Sequence, residues 1–335
     1  MKNNKSIIDK LTALWALNES GLGGFLHVFS TPFTGIIVGG ISILLISLIA
    51  YYAENKWKAI LKALLVVLII KMAVSPYSPF GAYVAVSFQA LFGALLFANF
   101  SWKGITLMVL GMVTFLESAL QKLLILTIVY GTGFWEAINM YGASVQKKLG
   151  VVSETSATSV LVTTYLLVYG ICGILAGLFI KSMIKIISNK KQDDFYLEPD
   201  DLDSSQNKSK KSFKSKVIWV WLLTVTGIVI AFTFFGGDMF GWKMAVYIML
   251  RSFLILLLWY LIIGPFLLQL VQKYLNKKKS QYKEDISNAM YLFPYFRQII
   301  LYSWKETKGL KGYGRFKYFM ANSISNCIHF KIPSE

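Results

Sequence analysis

The sequence predicts an all-α polytopic membrane protein of about seven transmembrane helices with a cytoplasmic amphipathic helical tail. Three observations predict it. Of 335 residues, 56% are hydrophobic and 15% charged, against about 25% charged in soluble domains. The apolar residues lie in long runs, several near the roughly 20 residues that cross a bilayer. The polar C-terminal stretch repeats large apolar residues at helical spacing. Together these exclude disorder, a collagen-like fibre and an ordinary soluble enzyme.

The elements follow in order. Residues 1–33 start basic, at Lys2 and Lys5, but Asp9, Lys10, Asn18 and Glu19 interrupt any signal-peptide core. Leu11, Leu14, Trp15 and Leu17 suit a short amphipathic helix, which Gly21, Gly23 and Gly24 end. Five apolar segments come next: Gly35 to Ala53, Ile60 to Val74, Ala82 to Phe100, Ile105 to Tyr130, and Ser159 to Ile180. Phe134 to Leu149, ending in Lys147-Lys148, has the amphipathic pattern of an interfacial helix. Two more spans are expected, Val217 to Phe235 and Phe253 to Val271, joined through Gly236-Gly237-Asp238, with Arg251 as an interfacial anchor. Beyond Lys277-Lys278-Lys279, Phe293, Phe296, Ile300 and Trp304 form one helical stripe. Phe316, Met320, Ile324 and Cys327 form another. Both tail helices then lie against the membrane face or against a partner.

Residues 1–188 therefore form an N-terminal membrane bundle, and residues 189–216 a charged cytoplasmic linker. Residues 217–275 form a transmembrane hairpin, and residues 276–335 a cytoplasmic tail. The linker holds an acidic block (Asp193, Asp194, Glu198, Asp200, Asp201, Asp203) followed by a basic one from Lys208 to Lys216. Orientation follows the lysines, which favour the cytoplasmic side. Lys56 and Lys58, Lys181 to Lys191, and Lys277 to Lys279 mark inside loops, and the uncharged loop Ser75 to Gly81 lies outside. The N-terminus is outside if five spans precede the linker, and inside if residues 6–30 also enter the bilayer. The location is the inner membrane of a bacterial cell, multi-pass.

The net charge of +17 fits cationic loops that meet anionic lipid. No nucleic-acid module accompanies it, so nucleic acid is not an expected partner. No Gly-Lys dipeptide occurs, so the chain has no phosphate-binding P-loop of its own. No hydrolase motif is present, and any ATP-driven step belongs to another subunit. No cofactor or metal is expected. Two cysteines and two histidines argue against a disulfide framework and a His-rich metal site. Asp200, Asp201 and Asp203 resemble a diphosphate-magnesium motif but sit in a hydrophilic linker without a second acidic motif.

Glu117 and Gln121 are four residues apart within an apolar segment and share a helix face. They either bind a polar solute or make an interhelical hydrogen bond. Lys71 is expected to snorkel to the interface. Pro76 and Pro79 stiffen the loop around Tyr77, and Tyr83 and Gln89 follow it. This is either a pocket rim or a tight turn. The candidate solute site is thus Tyr77, Tyr83, Gln89, Glu117 and Gln121. Gly35 and Gly39, Ala90 and Ala94, and Gly173 and Gly177 are spaced for close helix contact.

Met249 to Met320 resembles the transmembrane component of energy-coupling factor transporters. In that family a span leads into a cytoplasmic helical region with a Phe-x-Pro segment. An Ala-Arg-Gly-like motif that grips the ATPases follows. Here Phe293-Pro294 stands near the start of such a helix without the spacer, and Thr307-Lys308-Gly309 takes the motif's place. The resemblance implies that Lys308, with Trp304 and Gly309, couples to ATPase subunits. Residues 1–188 are similar, in size, span count and small-residue faces, to a substrate-binding component of the same transporters. The expected function is a membrane component of a small-molecule transporter, with membrane lipids, a solute and ATPase subunits as partners. The alternatives are an intramembrane lipid or isoprenoid enzyme and a non-catalytic scaffold.

Overall fold

The computed structural model describes residues 2–24, 34–76, 78–100, 104–150, 155–190, 195–196 and 242–331. Apart from one isolated bridge between Phe195 and Phe330, regular structure among them is helical. The helices are α1 (Lys2–Leu17), α2 (Thr34–Tyr52), α3 (Lys56–Val74), α4 (Phe80–Asn99), α5 (Gly104–Tyr130) and α6 (Thr132–Leu149). They continue as α7 (Ala157–Asn189), α8 (Trp242–Leu258), α9 (Gly264–Lys279), α10 (Lys283–Glu306) and α11 (Gly312–His329).

Five helical stretches among the described residues are long and apolar enough to cross a membrane: Gly35–Tyr52, Phe80–Asn99, Gly104–Tyr130, Ala157–Asn189 and Met249–Lys279. The protein is therefore a multi-pass membrane protein by length and composition. The apolar part of the last stretch is largely exposed, with Leu261 and Ile262 each at 63%, while Leu275 near its end is buried. Such a surface suits hydrocarbon better than water. Two expected spans are not among the five. Ile60 to Val74 lies in α3, which carries Lys56, Lys58, Lys62 and Lys71, and Val217 to Phe235 lies outside the described residues.

The chain divides into two compact units. The first comprises Met1–Lys122, Tyr165–Leu202 and Ile262–Glu335. Its centre is α1, where Leu11, Ala13, Trp15 and Ala16 are fully enclosed. α2, α3, α10 and α11 pack around it. α2 runs antiparallel to α1, since Asn18 meets Val38 and Ser42 while Asn4 and Lys5 share a cavity with Tyr52 to Asn55. α3 is capped at its start by Asn55, which accepts from the Lys58 N–H. The end of α11 is tied to α1 by Lys10, whose Nζ donates to the carbonyls of Ile328 and Phe330 at 2.9 and 2.8 Å. Phe195 pairs with the chain around Phe330 through two backbone hydrogen bonds.

The small-residue spacing at Gly173 and Gly177 has the consequence expected of it. α5 and α7 meet backbone to backbone there. A Cβ on Gly177 would lie 2.5 Å from the Leu107 carbonyl oxygen, and one on Gly111 would collide with that of Gly173. Ala90 and Ala94 of α4 are fully buried. Gly35 of α2 approaches Ser118 of α5.

The second unit comprises Leu123–Thr164 and Asp203–Leu261. Gly131, at φ +76°, turns the chain from α5 into α6. The Arg251 guanidinium lies against that glycine, and Ser252 donates to the Val129 carbonyl at 3.3 Å. Thr158 ties α7 to α6 through Asn139 and the Trp135 carbonyl.

Candidate functional site

A buried polar cluster forms where α1 ends. The chain passes from α1 into a π-helical turn, Asn18–Leu22, whose Asn18, Glu19 and Ser20 are buried. Single π turns recur at functional sites, since the inserted residue re-aims its neighbours. Here Glu19 points to α3 and α2. It accepts from Lys71 Nζ at 2.7 Å and from Ser42 Oγ at 2.5 Å. The Glu19 and Lys71 side chains are 3% and 1% exposed. Asn18 Nδ2 donates to Ser42 Oγ at 2.9 Å and to the Val38 carbonyl at 3.1 Å. A relay thus runs from Asn18 through Ser42 to Glu19 and Lys71. Lys71 does not snorkel to an interface: its ammonium finds a carboxylate inside the bundle, which offsets its desolvation.

Beside this relay lies a cavity of about 860 Å³ between α1, α2, α10 and α11. That is within the roughly 300–1,000 Å³ of small-molecule sites. Its walls are mainly apolar, including Leu14, Ile41, Phe293, Ile300 and Met320. Its polar lining is sparse: Asn18, Ser20, Ser323 and Arg297. Asn18 Oδ1 and Ser323 Oγ are buried there without a hydrogen-bond partner, a costly state in an apolar surround. α10 runs through Pro294. Proline lacks an N–H, so the Met290 carbonyl, on the same wall, lacks its usual helical donor.

A second cavity, of about 520 Å³, lies at the start of α1 and α3. It is more polar, lined among others by Asp9, Glu54, Asn288 and the ion pair of Lys62 with Asp285 at 2.8 Å. No group of three or more metal-ligating side chains is found among the described residues. Asp200, Asp201 and Asp203 lie outside them.

The residues singled out for a solute site have separate places. Tyr77 lies outside the described residues. Tyr83 and Gln89 are buried in α4, at 4% exposure each. Gln89 Oε1 is unpartnered, and its Nε2 faces Gly39 of α2. Gln121 of α5 donates from Nε2 to the Gly81 carbonyl at 3.0 Å, the interhelical role. Glu117 buries Oε2 without a partner. None of these lines either cavity. Glu19, Ser42 and Arg297 were not singled out. Glu19 was legible as an acid close to an apolar run, but its partner lies 52 residues away, beyond any local pattern.

The tail residues meet at the junction of α10 and α11. Thr307–Gly309 forms a 3₁₀ turn, pinned by Thr307 Oγ1 donating to the Ser303 carbonyl at 3.0 Å. Lys308 and Gly309 are exposed. Trp304 packs edge-on to Phe319, with the Arg315 guanidinium 4.2 Å from its ring centre. Leu310, Tyr313 and Phe316 are also exposed nearby in sequence. The resulting surface is basic and aromatic.

No family model matches this chain, and no curated protein or solved structure matches it either.

Proposed function

We propose that this chain is the membrane component of a small-molecule transporter, energised by an ATPase supplied in trans. One observation carries the proposal. The tail helices α10 and α11, whose junction presents Lys308, also supply one wall of the 860 Å³ cavity. A force on the exposed turn reaches Phe293, Arg297, Met320 and Ser323 through two helices. That is the mechanical link alternating access needs. On this reading a solute occupies the cavity, and a partner that rocks the turn opens or closes it. The sequence resemblance to energy-coupling factor transporters points to the same division of labour, with Trp304, Lys308 and Gly309 as the coupling surface.

The full arrangement we infer has seven spans in the inner membrane, α3 and the segment from Val217 to Phe235 completing the five.

The test is affinity purification of the tagged full chain from its native membranes in mild detergent. An ATPase accompanies the wild type and is lost from Lys308→Glu, because a cation that meets an acidic groove is replaced by a repelled anion. Co-purification unchanged by Lys308→Glu refutes the coupling role of the turn. Deleting the tail is a poorer test, since α10 and α11 cover α1.

A further inference from the structure

The cavity's lining also speaks to what it holds, and this step rests on the solute-binding reading above. Among the described residues, Arg297 is the only charged one lining it. Among the described residues the salt bridges are Lys62 with Asp285 and Lys71 with Glu19, so Arg297 has no carboxylate partner there. A guanidinium at the rim of an apolar cavity is a matched receptor for a planar or tetrahedral oxyanion, through paired N–H donors. The remaining lining is aliphatic and aromatic, with Phe293, Phe319 and the methionines Met290 and Met320. Methionine adapts to ligands of varied shape. The buried Asn18 Oδ1 is 7% exposed as a residue, and Ser323 is 6% exposed. Both polar atoms are unpartnered in the cavity wall. The Asn18 amide oxygen accepts from a donor such as a hydroxyl or an amide N–H, and the Ser323 hydroxyl can donate or accept.

We propose that the cavity binds an amphiphilic anion. Its apolar body lies against α1, α2 and α11, and its single oxyanion group sits on Arg297. A donor on the body reaches Asn18 or Ser323. The nearby Glu19 does not oppose the anion, because Lys71 and Ser42 neutralise and cover its carboxylate. The same chemistry is offered by a free lipophilic acid and by an anionic phospholipid headgroup.

The experiment uses the full chain in nanodiscs of phosphatidylcholine, with radiolabelled dodecanoate as probe and empty nanodiscs as background. Saturable binding of one dodecanoate per chain is expected. Arg297→Gln weakens it about tenfold or more, Arg297→Lys retains part of it, and 1-dodecanol competes poorly. Ser323→Leu, which narrows the cavity and removes a polar atom from its wall without touching the charge, weakens it as well. Phosphatidylglycerol in the disc displaces dodecanoate if the natural occupant is a headgroup, and leaves it bound if the occupant is a free acid. Binding that is equal in wild type, Arg297→Gln and Ser323→Leu overturns the proposal, as does 1-dodecanol competing as well as dodecanoate. The measurement needs no ATPase. Loss of dodecanoate binding with intact ATPase co-purification fails the ligand class alone; the reverse pattern fails the transporter reading alone.

Discussion

Lys71 and Glu19 concentrate the energetic stake of the first unit in two side chains. Each ion is removed from water and compensated by the other, and Ser42 donates a further hydrogen bond to Glu19. Removing one partner leaves an unpaired buried charge, which typically costs about 3–5 kcal/mol. Removing both leaves apolar groups beside Ser42 and Asn18, which still bond each other. Lys71→Met and Glu19→Leu are therefore each expected to lower the unfolding midpoint in detergent strongly. The double substitution is expected to recover most of the loss. Equal and additive losses would show that the pair is not coupled. At this scale sequence and structure part company. The sequence marks Lys71 as a cation within an apolar helix, and the local choice there is to snorkel. Only the third dimension brings Glu19 from another helix within 2.7 Å. Gln121 was legible as one of two roles, and the Gly81 carbonyl selects the hydrogen bond. Arg297 carried no signal, since one arginine in a polar tail looks like any solvated charge.

At the scale of elements, close helix contact follows from what is missing at Gly111, Gly173 and Gly177. Without side chains, α5 and α7 approach until backbone meets backbone. Dispersion and packing hold such helices in a bilayer, where the hydrophobic effect gives no drive. Gly177→Ala puts a methyl 2.5 Å from the Leu107 carbonyl oxygen, so the helices must separate. The expected destabilisation is about 1–3 kcal/mol. Gly170→Ala is the control on the same helix, since its nearest neighbour is 3.9 Å away. It should be neutral or slightly stabilising, because alanine favours helix over glycine. A thermal-shift series in detergent separates the two; equal midpoints would dismiss the packing argument. This contact was legible from spacing alone. The surroundings of α1 were not. An apolar stripe shows that a helix face needs cover, but it does not name the cover. The stripes of α10 and α11 carried the same ambiguity between membrane face and partner, and here both helices pack on α1.

For the whole molecule, composition was enough to foresee helices and a membrane, since few other solutions bury so apolar a chain. The cavity was not foreseeable, because helices distant in sequence each give it a few unremarkable residues. Its position beneath the exposed turn at Lys308 makes the central claim mechanical: energy from a partner reaches the cavity through the tail. Leu301 is exposed and lines the cavity on α10, so Leu301→Cys reports on its access. Cys172 is replaced by serine in this variant. Cys327 stays silent, since it is buried and burial pushes its thiol well above the usual range. The measurement is the rate of maleimide labelling at Leu301→Cys in the complex purified from native membranes, with ATP and with a non-hydrolysable analogue. The account predicts an ATPase in the complex and a labelling rate that changes with its nucleotide. A chain that purifies without an ATPase, or a rate indifferent to nucleotide, contradicts it.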